Sequence, residues 1–145
     1  MDYRELFFKI RVVAHLHRKR LDEVVNEADL HFGQLPILAT LSKLGTASQK
    51  DIAKELHVSP PSITNSVKRM EKKGLLSCDV KEEDRRSHVL KLTEKGQEAK
   101  QYCFERFQAL DKEICQEITE EDLITFEKVL NMMMEHLKEE GDKND

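Results

Sequence analysis

The spacing of apolar residues predicts a chain that is mainly α-helical. Over residues 3–28, 94–116 and 120–140, apolar side chains recur at intervals of three and four, which places them on one face of a helix. A shorter helix is expected to follow a break at 29–31 and to end near Lys43. The first helix has more apolar positions at its two ends than a lone surface helix needs. We therefore expect part of it to pack against something outside its own domain.

Two short helices joined by a tight turn are predicted between residues 48 and 73. Ser48 is a predicted N-cap, because Asp51 stands three residues later and completes a capping signature. The first helix of the pair is expected to end at a turn formed by His57 and Val58. Val58 is expected to be a buried apolar residue that fills the space between the two helices.

The second helix of the pair is expected to run from about Pro60 to Lys73. Ser59 precedes it as an N-cap, and prolines suit the first helical positions because their missing N–H groups are not needed there. The apolar residues that recur along it predict its inward face: Ile63, Val67 and Met70. The polar residues left largely outward are Ser62, Thr64, Asn65, Lys68, Arg69 and Lys72.

Two short strands are predicted next, over residues 75–80 and 88–92, and the segment between them is too polar to be buried. Thr93 then caps the following helix. Gly96 lies very early in that helix, where the entropy cost of a glycine is smallest. Helix, turn, helix and two strands in this order are typical of a winged helix-turn-helix.

The chain of 145 residues is long enough for one domain with an adequate core. The predicted fold class is therefore mainly α with a small β-wing. Within a single domain over 1–145, residues 30–96 form the predicted winged helix-turn-helix lobe, and 1–28 and 97–140 form a helical region that pairs two copies.

Charge is distributed unevenly along the chain, although the net charge is only −4. Residues 1–42 are neutral overall, residues 43–100 carry a net +4, and residues 101–145 carry a net −8. The positive segment coincides with the predicted lobe. Because phosphate groups respond to the local field, this segment suits contact with nucleic acid.

The outward face of the second helix predicts a double-stranded DNA interface. A helix-turn-helix places its second helix in the major groove, where short polar side chains read base edges and basic ones contact phosphates. Two arginines in the wing are expected to reach the minor groove, held by a neighbouring aspartate. The predicted DNA-binding residues are Ser48, Gln49, Ser59, Pro60, Ser62, Thr64, Asn65, Lys68, Arg69, Lys72, Asp84, Arg85 and Arg86. The competing interpretation is a solvated polar helix face without a ligand.

The chain resembles the MarR family of transcriptional regulators over nearly its whole length. The residues that carry the resemblance are Leu30–Gln34 with Leu38, Ile52-Ala53, Leu56-x-Val58-Ser59-Pro60, Ser62-Ile63-Thr64, Val67-x-Arg69-Met70-Glu71-x-x-Gly74-Leu75, Asp84-x-Arg86 and Leu92-Thr93-x-x-Gly96. The resemblance implies a homodimer, joined through the first and the last two helices, that binds a near-palindromic operator and usually represses. Asn65 stands where family members often carry arginine, and Lys81-Glu82 replaces a frequent Asp-Pro, so base preference and hairpin shape do not carry over.

The resemblance also implies a ligand pocket between the dimerisation helices and the DNA-binding lobe. The residues that would line it here are Arg11, His15, Arg18 and His31, which suit a small anionic or aromatic effector. An ordinary solvated helix face explains the same residues equally well.

Other functions are less consistent with the sequence. The peroxide-sensing branch of the family uses a cysteine in the first helix, which this chain lacks, although Cys103 or Cys115 remain candidates for redox sensing. No metal site, cofactor or enzyme activity is predicted, because no zinc-ligand cluster, phosphate-binding glycine loop or nucleophile–base pair is evident. A winged helix that docks a protein instead of DNA is the main alternative. The absence of a long apolar run or a signal-peptide core predicts no membrane association and a cytoplasmic location.

Overall fold

The structure, a computed structural model, describes residues 1–80 and 88–141. The chain divides into two compact units, Met1–Gln108 and Ala109–Asp145. Helices dominate both units, and a small sheet lies in the first. The predicted fold class, mainly α with a small β-wing, is confirmed.

The first unit contains the helix-turn-helix and the strands. Its elements are α1 (Tyr3–Glu27), a 3-10 turn (Phe32–Gln34), α2 (Leu35–Leu44), β1 (Thr46–Ala47), α3 (Gln49–Glu55), α4 (Pro60–Lys72), β2 (Leu76–Val80), β3 (His88–Leu92) and the larger part of α5 (Glu94–Cys115). Strand β1 was not predicted, because two residues are too few to show the alternation that marks a strand.

The three strands form an antiparallel sheet in the order β1-β3-β2. Leu76 lies opposite Leu92 at one end of the β2–β3 pair, and Thr46 of β1 lies opposite Lys91. Because β3 is central, it links the outer strand β2 to the short segment between α2 and α3.

One apolar core holds the lobe together. Leu38 of α2, Ile52 of α3 and Met70 of α4 are fully buried in it. Leu90 of β3 and Cys103 of α5 belong to the same cluster. Burial of a large apolar side chain contributes about 1.5–3 kcal/mol, so the leucines, the isoleucine and the methionine of this cluster are a main source of the stability of the lobe.

Capping interactions fix where α3 begins. The Ser48 hydroxyl accepts a hydrogen bond from the Asp51 N–H at 3.1 Å, and the Asp51 carboxylate accepts one from the Ser48 N–H at 3.1 Å. The capping signature predicted from the sequence is confirmed. At α4 the N-cap is Ser59, as predicted, but its side chain makes no capping hydrogen bond.

The turn between α3 and α4 differs from the prediction at Val58. This side chain is 43% exposed, so the prediction that it is buried between the helices was wrong. His57 has a positive φ of 53°, which turns the chain directly after α3, and Val58 closes the turn through its backbone N–H to Ala53 O at 3.0 Å. Leu56, half-buried and packed against the core, is the apolar residue beside the turn.

The start of α5 lies against the backbone that follows α4. The Thr93 N–H donates to Leu75 O at 3.1 Å, and the Thr93 hydroxyl donates to Gly74 O at 2.5 Å. A Cβ at Gly96 would lie 2.1 Å from Leu75 O, closer than any side chain can approach a backbone oxygen. Glycine is therefore required at position 96 by this close approach, and not only tolerated because it is early in the helix.

The second unit comprises the end of α5 and helix α6 (Glu120–Gly141). Thr119 precedes α6, and its hydroxyl accepts a hydrogen bond from the Asp122 N–H at 3.2 Å. This interaction caps the start of α6. Several large apolar side chains of the unit are exposed: Ile114, Ile118, Ile124, Phe126, Val129, Met132, Met134 and Leu137.

Within residues 1–80 and 88–141, no helix combines the length and the apolar character that a membrane span requires.

Replacing Gly96 with alanine should destabilise the protein because the new methyl group would collide with the Leu75 carbonyl. We expect the free energy of unfolding to fall by about 2 kcal/mol, because the cost of overpacking exceeds the gain from the higher helix propensity of alanine. Urea denaturation at fixed protein concentration measures the change. Gly33→Ala is the control, since nothing lies within 4 Å of a Cβ at that position, and its stability should be unchanged or slightly higher. Equal stability of the two variants would contradict the close approach.

Replacing Ser48 with alanine should remove the capping bond of α3 and lower the free energy of unfolding by about 1 kcal/mol. The same substitution at Ser59 removes a hydroxyl that makes no capping bond, so its effect should be within about 0.5 kcal/mol of zero. Thermal melts of both variants without DNA provide the comparison. A larger loss at Ser59 than at Ser48 would refute the assignment of the two caps.

Candidate nucleic-acid interface

Helix α4 is fixed in its rotation by its buried face. Ile63, Val67 and Met70 are at most 7% exposed, and all three belong to the core of the lobe. This orientation places the polar and basic side chains away from the core. Those that are exposed are Ser62, Asn65, Lys68, Arg69 and Lys72, whereas Thr64 is half-buried.

Thr64 is held by a contact between the two helices of the motif. Its hydroxyl lies 3.1 Å from Gln49 Oε1 and 3.1 Å from Pro60 O. The single hydroxyl proton can be donated to only one of these acceptors at a time. When Gln49 Oε1 accepts it, the Gln49 NH₂ group remains a donor on the half-buried side chain. The structure therefore brings two predicted site residues together, one from α3 and one from α4.

Two serines near the start of α4 have different local bonding. The Ser62 hydroxyl donates its proton to Ser59 O at 2.6 Å, so the Ser62 hydroxyl oxygen can still accept hydrogen bonds through its lone pairs. Ser59 itself is exposed at the N-cap, next to exposed Pro60. In contrast, Ser48 is half-buried and its oxygen already accepts a bond from the α3 backbone.

Positive charge lies along the exposed side of α4. Lys68, Arg69 and Lys72 occupy its second half, and Arg69 and Lys72 lie in the last turn, where cations interact favourably with the helix dipole. Groups of this kind bind phosphate oxygens. The predicted wing residues Asp84, Arg85 and Arg86 lie outside the described residues, so their roles stay predictions.

The strands below the wing carry a cysteine–histidine contact that sequence reasoning did not identify. Cys78 Sγ lies 3.5 Å from His88 Nδ1, across the β2–β3 pair. Burial raises the pKa of the Cys78 thiol, and the negative charges of Glu71 and Asp79 raise it further. The thiol is therefore protonated at neutral pH, which disfavours nucleophilic chemistry.

The four predicted ligand-pocket residues are in different surroundings. Arg11 and His15 are exposed on α1. The Arg18 guanidinium lies 3.4 Å from the centre of the Phe32 ring, and its Nε is 3.2 Å from Asp22 Oδ1. His31 is exposed next to Phe32 and donates its backbone N–H to Gln34 Oε1 at 3.1 Å. The structure thus brings Arg18 and the 3-10 turn together.

An open cavity of about 290 Å³ lies between the end of α1 and the start of α5, at residues that the sequence did not single out. Beside it the Tyr102 hydroxyl donates to Glu27 Oε2 at 2.8 Å, and this hydrogen bond raises the pKa of Tyr102. The residues that line it are Glu27, Ala28, Lys95, Glu98, Ala99 and Tyr102.

The two cysteines proposed for redox sensing differ in accessibility. Cys103 is fully buried, and burial raises its pKa. Cys115 is half-buried. Among the residues that the structure describes, no group of three or more His, Cys, Asp or Glu side chains is placed to hold a metal ion.

Comparison with known proteins identifies the architecture. Residues 32–88 match the model of the MarR family. YwoH, an HTH-type transcriptional regulator of Bacillus subtilis, is 25% identical over 91% of this chain and 96% of its own length.

Solved structures share the fold over most of the chain. A MarR-like transcription regulator from Bacillus cereus superposes with a TM-score of 0.73 at 29% identity, over 94% of this chain and 99% of its own. A variant of MepR from Staphylococcus aureus, solved bound to an oligodeoxyribonucleotide, gives a TM-score of 0.72 at 24% identity, with the same coverage of 94% and 99%. Residues 32–88 are therefore similar to the MarR family, and the chain shares the winged helix-turn-helix fold of solved MarR-like transcription regulators.

Proposed function

We propose that this regulator binds double-stranded DNA in a sequence-specific manner, with α4 in the major groove. The observation that carries the proposal is the exposed face of α4, where Ser62 and Asn65 precede Lys68, Arg69 and Lys72 on a helix anchored by its opposite face. The MepR variant that shares the fold was solved with an oligodeoxyribonucleotide, which supports DNA as the ligand of this lobe.

The side chains of α4 divide into two roles by position. Asn65 is exposed near the start of the helix and can bond bidentately to adenine, so it is the proposed base-reading residue. The basic residues of the second half are proposed to contact phosphates, which position the protein without reading sequence. Gln49 of α3 is proposed to donate from its side-chain NH₂ group, because its side-chain oxygen accepts the hydrogen bond from Thr64. Arg85 and Arg86, with Asp84 beside them, are proposed to enter the adjacent minor groove.

A homodimer is proposed because the first unit leaves apolar surface uncovered on α1. Phe7, Phe8, Val13 and Leu16 are 44%, 59%, 64% and 55% exposed, although large apolar side chains are usually buried. Paired lobes would place two α4 helices about 34 Å apart, one DNA turn, and so bind a near-palindromic operator.

Repression and release by an effector complete the proposal. A dimer that covers an operator excludes other proteins from it, and a ligand that changes the spacing of the lobes would release it with a coupling of about 1–3 kcal/mol. The proposed effector is a small anionic or aromatic molecule that contacts Arg11, His15, Arg18 and His31. The Arg18 guanidinium lies over the Phe32 ring, and this pairing of a positive charge with an aromatic side chain supports an anionic or aromatic effector.

Two alternatives remain distinguishable by experiment. A winged helix used for protein docking would bind no DNA specifically. A redox sensor would need a reactive thiol at Cys103 or Cys115, and the burial of Cys103 is unfavourable for that role.

The proposed function is tested by selecting sites from random double-stranded DNA with the purified protein, and then measuring affinity at two salt concentrations. We expect the selected site to bind about 10³-fold or more tightly than random DNA, and affinity for both to fall steeply with salt. Asn65→Ala should cost about 1–3 kcal/mol on the selected site and reduce discrimination at one base pair in each half-site.

Lys68→Ala is the matched control on the same exposed face. It should weaken binding to all DNA alike and reduce the salt slope by about 1 for each copy of the chain that contacts the DNA. If the protein enriches no site above random DNA, the winged helix serves another purpose and protein docking becomes the better hypothesis.

Cys103 should resist modification in the native protein because its thiol is fully buried and its pKa is raised. Iodoacetamide at neutral pH, followed by mass mapping, should label Cys103 at a rate at least about tenfold below that in urea-unfolded protein. Cys115, which is half-buried, serves as the internal comparison. Rapid labelling of Cys103 in the folded state would restore the redox alternative.

A further inference from the structure

The C-terminal end of α4 is bonded to two other elements of the first unit. The last carbonyls of α4 accept hydrogen bonds from the N–H groups of Lys73, Gly74 and Leu75, so the carbonyls of these three residues are the ones that need partners from other elements. Lys73 O accepts a hydrogen bond from Lys95 Nζ at 2.8 Å, and Gly74 O and Leu75 O accept bonds from Thr93. Both donors, Thr93 and Lys95, lie at the beginning of α5.

Lys73 connects the same end of α4 to α1. Its ammonium nitrogen lies 2.7 Å from Asp29 O and 3.1 Å from Asp29 Oδ1. Asp29 follows the last turn of α1, has a positive φ of 55°, and is tied back to that helix by its N–H to Asn26 O at 3.0 Å. We call the contacts of Lys73, Gly74 and Leu75 with Asp29, Thr93 and Lys95 the α4 joint.

The lysine next to Lys73 is placed differently. Lys72 is exposed on the side of α4 that carries Lys68 and Arg69, whereas Lys73 is only partly exposed and its side chain points to Asp29. Both residues carry one positive charge at the same helix end. The contacts of the ammonium group, and not the charge itself, distinguish the two.

We propose that Lys73 is a positioning residue that sets the direction of α4 relative to α1 and thereby the half-site spacing that the dimer accepts. This inference rests on the proposed function. Partly exposed ion pairs contribute only about 0–1 kcal/mol to stability, so Lys73 is not required for folding. Two bonds to one residue nevertheless fix a direction as well as a distance.

The geometry of α4 makes its direction important for DNA recognition. From Lys73 to Ser62 the helix advances about 16 Å, at 1.5 Å per residue. A rotation of about 12° at the joint would move the base-reading end by about 3.4 Å, which is the rise of one base pair. The buried residues of α4 limit the rotation of the helix about its own axis and its distance from the core. The α4 joint limits the direction of the helix axis, at the end farthest from the bases.

The test uses the operator selected by the unmodified full-length protein and a set of the same half-sites with one or two base pairs added to or removed from the centre. Fluorescence anisotropy gives the affinity for each spacing. The unmodified protein should prefer its own spacing by about tenfold or more over a one-base-pair change. Lys73→Met, which keeps the apolar stem, should reduce this preference to about threefold or less while its melting temperature changes by only a few degrees.

Lys72→Met is the matched control, because it removes the same charge one residue earlier without touching the joint. It should weaken binding at every spacing by a similar factor and leave the spacing preference unchanged. Lys73→Arg should retain the preference, since a guanidinium can still donate to both Asp29 oxygens. Asp29→Asn, which tolerates the left-handed backbone and keeps the backbone acceptor, should give a partial loss of preference.

The outcomes distinguish a failure of the positioning role from a failure of DNA binding. An unchanged spacing preference in folded Lys73→Met, or an equal loss in Lys72→Met, would overturn the positioning role and leave DNA binding intact. Failure of the unmodified protein to select any DNA would instead overturn the proposed function, and the positioning role with it.

Discussion

The need to pair the backbone carbonyls of Lys73, Gly74 and Leu75, which follow α4, is the constraint on which the arrangement of the lobe depends. The last carbonyls of α4 accept bonds from the N–H groups of the three residues that follow it, and the carbonyls of those three residues are bonded by Thr93 and Lys95 at the start of α5. The approach is so close that Gly96 has no room for a Cβ beside Leu75 O. Lys73 adds a third element by bonding to Asp29 after α1. The helix that carries the proposed DNA-binding face is thus held at one end by the residue that follows α1 and by the start of α5.

Most of the fold could be predicted because it is encoded locally. The apolar spacing of Ile63, Val67 and Met70 gives the rotation of α4, and the Ser48–Asp51 pair gives the start of α3. Such signals involve residues within one or two helical turns. Strand β1 is too short to show an alternating pattern, and the exposure of Val58 depends on how α3 and α4 pack, so the sequence predicted neither.

The sequence could predict which residues form the candidate site, but not the hydrogen bonds that these residues make. The polar face of α4 is readable from its spacing, yet the Thr64–Gln49 contact joins residues that are 15 positions apart and depends on how α3 and α4 cross. The same limit applies to Lys73, which in the sequence is one more lysine in a basic stretch. The partner of Lys73, Asp29, is 44 positions away, and only the structure distinguishes Lys73 from Lys72. The proposed role of Arg86 rests on the attraction of arginine to the minor groove and on the family resemblance.

The shortness of β1 has a consequence for the behaviour of the protein in concentrated solution. This edge of the sheet is only two residues long, so it presents few backbone groups with which a strand of another molecule could pair. Short edge strands are one way in which proteins avoid sheet-to-sheet aggregation. The apolar side chains exposed on α1 are a larger risk, because uncovered apolar surface promotes non-specific association. Purification and storage should therefore be governed by how well α1 is covered, and hardly at all by the β1 edge of the sheet.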